Sequence, residues 1–229
     1  MTTLAQQWEA VQERIFRAAY RSGGDPEAIS VVAVTKTRTA REVALAVKTG
    51  LRLVGENRVQ EAQAKKPLVD GAAQWHLIGH LQSNKAGKAV DLFDMIQSVD
   101  RADIARALDR RAGHRGRRMD ILVQVNTSGA PHQSGVVPEA ASALIETITT
   151  LPHLRLRGLM TIGLLSENEA RVRHGFTRLR ELRESLIHAC PELKLEYLSM
   201  GMSGDFEWAI DEGANMLRLG SVLFGPRAI

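Results

Sequence analysis

Lys36 closes the apolar run Ser30-Val31-Val32-Ala33-Val34-Thr35, which reads as a buried β-strand. An ammonium group at the end of such a strand is costly unless something uses it. Burial lowers a lysine's pKa and frees the neutral amine to attack a carbonyl. A Schiff base with an aldehyde is the chemistry this placement suggests. The alternative is a lysine that only snorkels to solvent. A second group of candidates stands near the other end of the chain. Ser199-Met200-Gly201-Met202-Ser203-Gly204-Asp205 leaves an apolar run and enters a helix, and Leu217-Arg218-Leu219-Gly220-Ser221 is a strand and its exit. Small residues before a helix offer backbone N–H groups to an anion. Either glycine loop alone is an ordinary turn.

The elements that must position these groups follow from hydrophobic periodicity. Leu4, Trp8, Val11, Ile15 and Ala18 recur at helical spacing, and Ser22-Gly23-Gly24-Asp25-Pro26 ends that helix. Short apolar strands are expected over roughly 30–36, 52–57, 74–80, 95–99, 119–126, 154–162, 194–200 and 215–220. Amphipathic helices lie between them. Thr39-Ala40-Arg41-Glu42 is a capping box, Asp100 can cap the helix carrying Ile104 and Leu108, and Pro138 suits a first turn. Eight strand–helix units imply a parallel sheet closed into a (β/α)8 TIM barrel with an extra N-terminal helix. The whole chain, 1–229, reads as one domain with no linker and no room for a second.

Composition narrows the function classes. Of 229 residues 44% are hydrophobic, enough for one large core, and the net charge is only +4. Two arginine-rich helical stretches, around Arg101–Arg118 and Arg171–Arg183, are interleaved with acids and lack an aromatic platform. They read as solvated helix faces rather than a nucleic-acid surface. The lone cysteine, Cys190, permits no internal disulfide and points to a reducing compartment. No signal peptide and no membrane span is expected, so the protein is expected to be cytoplasmic. His76 and His80 lack a further ligand cluster, so no metal site is expected.

In such barrels chemistry sits at the C-terminal ends of the strands, and the last two βα loops often bind phosphate. Barrel closure makes strand one a neighbour of strand eight. A ligand with an aldehyde at one end and a phosphate at the other fits Lys36 facing Ser203, Gly204, Gly220 and Ser221. Pyridoxal 5′-phosphate (PLP) is such a ligand. Arg218 would then point inward near the pyridine nitrogen, where a permanent cation weakens the ring as an electron sink; a strand-end salt bridge is its other reading. His80 is the mouth residue of the third strand.

Val32-Ala33-Val34-Thr35-Lys36, Gly55-Glu56-Asn57-Arg58-Val59-Gln60-Glu61, Trp75-His76-Leu77-Ile78-Gly79-His80-Leu81-Gln82-Ser83-Asn84-Lys85, Arg157-Gly158-Leu159-Met160 and Leu198-Ser199-Met200-Gly201-Met202-Ser203 together carry a family likeness. The chain resembles, over essentially its full length, the pyridoxal-phosphate homeostasis proteins (the YggS/PROSC group). The resemblance implies the barrel domain of the alanine racemases without their β domain. It implies a cofactor aldimine on Lys36, a ring-side Asn57, Arg218 at the pyridine nitrogen, and a phosphate held by Ser203, Gly220 and Ser221. Met200 and Gly204 join the expected cofactor contacts through the same loop. One departure stands out: Ala130 and Gln133 occupy positions where the family usually carries an acid and a lysine. Any role of that lysine is therefore not carried over.

The implied function is a PLP carrier without robust catalysis, which passes cofactor to PLP-requiring apoenzymes. The alternative is a PLP-dependent amino-acid racemase-like enzyme of low activity. A Schiff-base aldolase without PLP is the third. A racemase of this fold takes a second acid/base tyrosine from its extra domain, whereas this chain has only Tyr20, in the first helix, and Tyr197, within strand seven. A monomer is the expected state.

Overall fold

Thr3 starts the first helix on a closed capping box, its hydroxyl accepting from the Gln6 N–H while the Gln6 side chain accepts from the Thr3 N–H. The computed structural model describes residues 3–226. Helix α1 (Leu4–Arg21) precedes β1 (Ser30–Val34), α2 (Ala40–Lys48), β2 (Leu53–Glu56), α3 (Val59–Lys65) and β3 (Gln74–Leu77). Then come α4 (Ala86–Leu92), β4 (Met95–Val99), α5 (Ala102–His114), β5 (Met119–Gln124), α6 (Ala141–Thr149) and β6 (Leu154–Met160). The chain continues through α7 (Glu169–Ala189), β7 (Tyr197–Ser199), α8 (Phe206–Asp211), β8 (Met216–Leu219) and α9 (Ser221–Phe224).

All eight expected strands form, and they pair in parallel in sequence order around a closed barrel. Val32 pairs with Leu53 of β2 on one side and Arg218 of β8 on the other, which closes the ring. Strand alternation then sorts the side chains. Val31, Ala33, Leu198, Leu217 and Leu219 face outward to the helices and join the large core between the two layers. Val32, Met95, Leu122, Met160 and Met216 face inward and form a separate small cluster inside the barrel. The helices turn apolar stripes to the core: Leu144, Ile145 and Ile148 of α6 and Val172, Phe176, Leu179 and Leu186 of α7 are buried, with Leu182 partly buried against them. Helix α1 packs on α8 and α9, tied by Arg14 to Glu207 and by Arg21 to Asp211.

Three local expectations change. Most strands stop short of their expected ends, because the barrel ladder is lost where the chain bends toward the mouth. The seventh begins only at Tyr197 rather than 194. Asp100 does not cap α5: Arg101 occupies the cap position without a side-chain cap, and the Asp100 carboxylate turns to His80 and Arg101, 3.6 Å from each. Pro138 opens a tighter single turn, 138–140, ahead of α6. The capping box at Thr39 and Glu42 forms as expected. Among the described residues no helix is long and apolar enough to cross a membrane.

Gly201, just past β7, must be glycine for two reasons. Its φ is +91°, and an added Cβ would lie 2.6 Å from the Ala209 Cβ and 3.1 Å from the Phe206 Cα. Gly50 has a similar φ of +98° but open space around it. Gly50→Ala is therefore expected to cost about 1–2 kcal/mol from backbone conformation alone. Gly201→Ala adds overpacking, for about 2–4 kcal/mol in all. Denaturant titration of both variants measures the difference; equal losses would show that α8 yields freely around residue 201.

Candidate active site at the barrel mouth

A cavity of about 710 Å³ opens at the C-terminal ends of the strands. Seven of the nine expected site residues line it. Lys36 and Asn57 stand on the β1–β2 side; Ser203, Gly204, Arg218, Gly220 and Ser221 stand on the β7–β8 side. Lys36 lies two residues beyond β1, in a turn closed by the Arg38 N–H donating to the Thr35 carbonyl at 3.0 Å. Asn57 directly follows β2, and the loop after β3 lies against it. A Cβ on Gly79 would come within 2.3 Å of the Asn57 carbonyl oxygen, so only glycine permits this approach.

The β7 and β8 loops are stitched together by Ser203. Its hydroxyl accepts from the N–H groups of Gly220 and Val222 at 3.1 and 3.2 Å. Among the described residues the N–H groups of Gly204 and Ser221 meet no acceptor. Open donors from both loops thus line the same cavity.

Arg218 is buried, donating from Nη1 to the Ser199 hydroxyl at 2.7 Å and from Nη2 to the Thr161 carbonyl at 2.6 Å. Burial lowers its pKa to about 10, opposed by the Asp205 charge, so it remains a cation at neutral pH. Asp205 also lines the cavity. Burial pushes its carboxyl up, against the Met202 N–H it accepts and the Arg218 charge.

Two expected residues are placed elsewhere. Met200 is fully buried in the core between barrel and helices, and does not line the cavity. Ser199 faces inward, so its neighbour Met200 faces out. His80 sits past the end of β3, exposed on the rim, with Nδ1 3.6 Å from Asp100 and Nε2 3.4 Å from Arg101. It does not line the cavity either. Other lining residues had no expected site role: Arg38, Asp205, Trp208 and residues 164–167 after β6. Trp208 carried a signal, an aromatic just after a glycine loop; the β6 segment carried none.

A buried polar chain runs inward from the cavity. The Ser199 hydroxyl, which accepts from Arg218, donates to the Gln97 Oε1 at 2.7 Å. The Gln97 amide in turn lies 2.9 Å from the His76 Nδ1. His76 lines a second cavity of about 440 Å³ with Tyr197, Asp120, Arg155 and Arg157 at the opposite end of the barrel. Gln133, the departure noted in the β5 loop, donates to the Gly163 carbonyl at 2.7 Å and accepts from the Ser128 hydroxyl. It ties the loop after β5 to the loop after β6. Among the described residues no group of three or more His, Cys, Asp or Glu side chains could hold a metal ion.

These features define a class: a (β/α)8 barrel whose mouth gathers a lysine after its first strand, a buried guanidinium on its last, and unpaired backbone N–H groups in the loops after its last two strands. Residues 8–228 match the family model for the alanine racemase N-terminal domain. A pyridoxal phosphate homeostasis protein of Pseudomonas aeruginosa is 42% identical over 99% of this chain and 97% of its own. PipY of Synechococcus elongatus, solved with PLP bound, superposes with a TM-score of 0.83 at 40% identity, covering 94% of this chain and all of its own. An alanine racemase of Clostridium difficile shares the fold at a TM-score of 0.74 and 16% identity, with 95% of this chain matching 56% of that one. The chain belongs to the pyridoxal phosphate homeostasis protein family, within the alanine racemase N-terminal domain group.

The buried His76 makes a pH dependence. Burial lowers its pKa from 6.5 to about 4. The unfolded chain takes up this proton near pH 6.5, the folded chain only near pH 4. Stability from this group is complete above pH 6.5 and is lost as pH falls toward 4, by up to about 3 kcal/mol. His76→Gln, which keeps an acceptor for Gln97, is expected to flatten that part of the profile. Denaturant midpoints at pH 7 and 4.5 for both proteins measure it, and parallel profiles would assign the loss to other groups.

Proposed function

We propose that this chain binds PLP in the mouth cavity and acts as a PLP carrier rather than as an efficient catalyst. The observation that carries this reading is the joining of Lys36, Arg218 and the Ser203–Ser221 cradle in one cavity. The donor set fits the group. An amine suits an aldehyde, while the open N–H groups of Gly204 and Ser221 suit a phosphate. When bound, PLP supplies an electrophilic aldehyde and an electron-accepting ring.

The chain's own residues favour holding over turnover. Lys36 is the covalent anchor, Asn57 the ring-side contact, and Ser203, Gly204, Gly220 and Ser221 the phosphate contacts. Arg218 is a cation fixed by two hydrogen bonds, and a fixed cation disfavours protonation of a ring nitrogen beside it. Tyr20 is exposed on α1, and the Tyr197 ring lies under Arg157 in the opposite cavity. Neither lines the mouth. The racemase-like reading keeps one observation in its favour, the shared barrel fold. The carrier reading expects a cytoplasmic monomer that delivers PLP to apoenzymes.

Two outcomes follow. Borohydride reduction of the PLP-loaded protein is expected to leave a pyridoxyl adduct on Lys36, located by peptide mass spectrometry, and none in Lys36→Ala. An adduct on another lysine would remove the anchor assignment. Incubation with D- or L-alanine is expected to leave chirality unchanged on chiral chromatography; steady racemisation would support the enzyme instead.

A further inference from the structure

The turn that carries Lys36 is held from behind by groups that do not line the cavity. The Thr35 carbonyl accepts from the Lys65 Nζ at 2.8 Å. The Thr37 N–H donates to the Glu61 Oε2 at 3.0 Å. The backbone on both sides of Lys36 is therefore tied to α3. The two holding side chains are tied to each other, with the Lys65 Nζ 3.2 Å from the Glu61 Oε2. Lys65 also reaches the Glu56 Oε1 at 2.8 Å, and that oxygen accepts from the Thr35 hydroxyl at 2.7 Å. Glu56 is fully buried at the end of β2.

Two features exceed what a simple turn needs. Thr37 has a φ of +67°, and it is the only non-glycine residue with positive φ among those described. A β-branched residue is poorly suited to that region, and such outliers persist only where the surroundings over-determine them. The Glu56 Oε2 is buried and has no hydrogen-bond partner among the described residues. An unmet buried carboxylate oxygen carries a desolvation cost. Burial pushes the Glu56 carboxyl up, while the Thr37 N–H and Lys65 hold Glu61 down despite its own partial burial. Glu61 is the member that accepts from the Thr37 peptide.

We propose that Glu61 and Lys65, backed by Glu56, form a clamp that fixes the peptide groups on both sides of Lys36 and so sets how tightly the mouth cavity retains PLP. All three act through Lys36 and are positioning residues. The proposal rests on the reading of the mouth as a PLP site. Its physical basis is that small displacements of a reacting group lose much of the benefit of holding it in place.

The test uses full-length protein and PLP. In Glu61→Ala the apparent Kd for PLP is expected to rise about tenfold, the effect of losing one charge-assisted hydrogen bond. Hydrogen exchange at the Thr37 amide, read in the cofactor-free protein, is expected to accelerate with it. Glu61→Gln keeps an acceptor for that N–H and is expected to restore most of the affinity, leaving about a threefold loss. Glu61 is partly exposed, so its truncation is tolerable; should Glu61→Ala fail to fold, the threefold loss with faster Thr37 exchange in Glu61→Gln is the supporting result. Faster exchange at Thr37 with unchanged PLP affinity overturns the clamp and leaves the PLP site standing. A wild-type protein that takes up no PLP overturns the site itself, and the clamp falls with it.

Discussion

The pairing of β1 with β8 is the constraint on which the site depends. Lys36 and Arg218 are far apart in sequence, and only barrel closure brings them to one cavity. The register does the rest. With Val32 opposite Arg218 and Ala33 opposite Leu219, the turn after β1 emerges beside the loop after β8. Alternation then gives Arg218 an inward side chain and its neighbours Leu217 and Leu219 outward ones. A slip of one residue would exchange these roles, burying a leucine in the mouth and driving a guanidinium into the helix layer. The cost of that exchange makes the register robust, and so fixes Lys36 against the loops after β7 and β8.

The barrel interior carries a second cost. Barrels of this kind usually fill their centres with branched aliphatic residues. Here Arg218, Ser199, Gln97 and His76 occupy positions from four strands and are all buried. Each is acceptable only because the next one satisfies it. Arg218 is held by Ser199 and Thr161, Ser199 by Gln97, and Gln97 by His76. The chain ends on a histidine that burial keeps neutral, so one positive charge is buried rather than two. Such a network adds little net stability but allows few alternative rotamers. A guanidinium held this way presents a fixed cation to the cavity.

Much of this was legible in the sequence, and the failures share a cause. The eight strands and the α1 stripe follow from periodicity. Lys36 and Arg218 stood out as charges in apolar runs. Met200 and His80 were misplaced because each is decided by where a strand ends and which way its residues alternate. Ser199-Met200 reads equally well with either residue inward, and only the bond from Arg218 to Ser199 settles it. β3 ends at Leu77, three residues before His80, and the chain bends at Gly79. The contacts behind Lys36 were not legible: Glu56 and Glu61 entered only as part of the segment Gly55–Glu61 that carries the family likeness, and Lys65 carried no signal. Their meaning lies in a three-dimensional approach to two peptide groups. Gln97 was the fairest missed signal, an amide at the centre of the apolar run Met95-Ile96-Gln97-Ser98-Val99.

Gln133 shows how the mouth differs from a more basic one. A lysine in its place would put a cation on the loop after β5. The glutamine is neutral and spent on protein contacts, with its amide on Gly163 and its carbonyl oxygen on Ser128. The loops after β5 and β6 are therefore joined rather than independent. The cations that line the cavity are Lys36, Arg38 and Arg218, against Glu167 and Asp205. All three cations come from the β1 and β8 side. Arg38 is itself committed to the Gly225 carbonyl at 2.7 Å and lies over the Phe224 ring. Electrostatic attraction for an anion is thus concentrated at the barrel seam, beside the Ser203 cradle. No side chain of the loop after β5 is among the residues that line the cavity. The charge that faces the cavity is thus gathered at the seam, which is where β1 closes on β8.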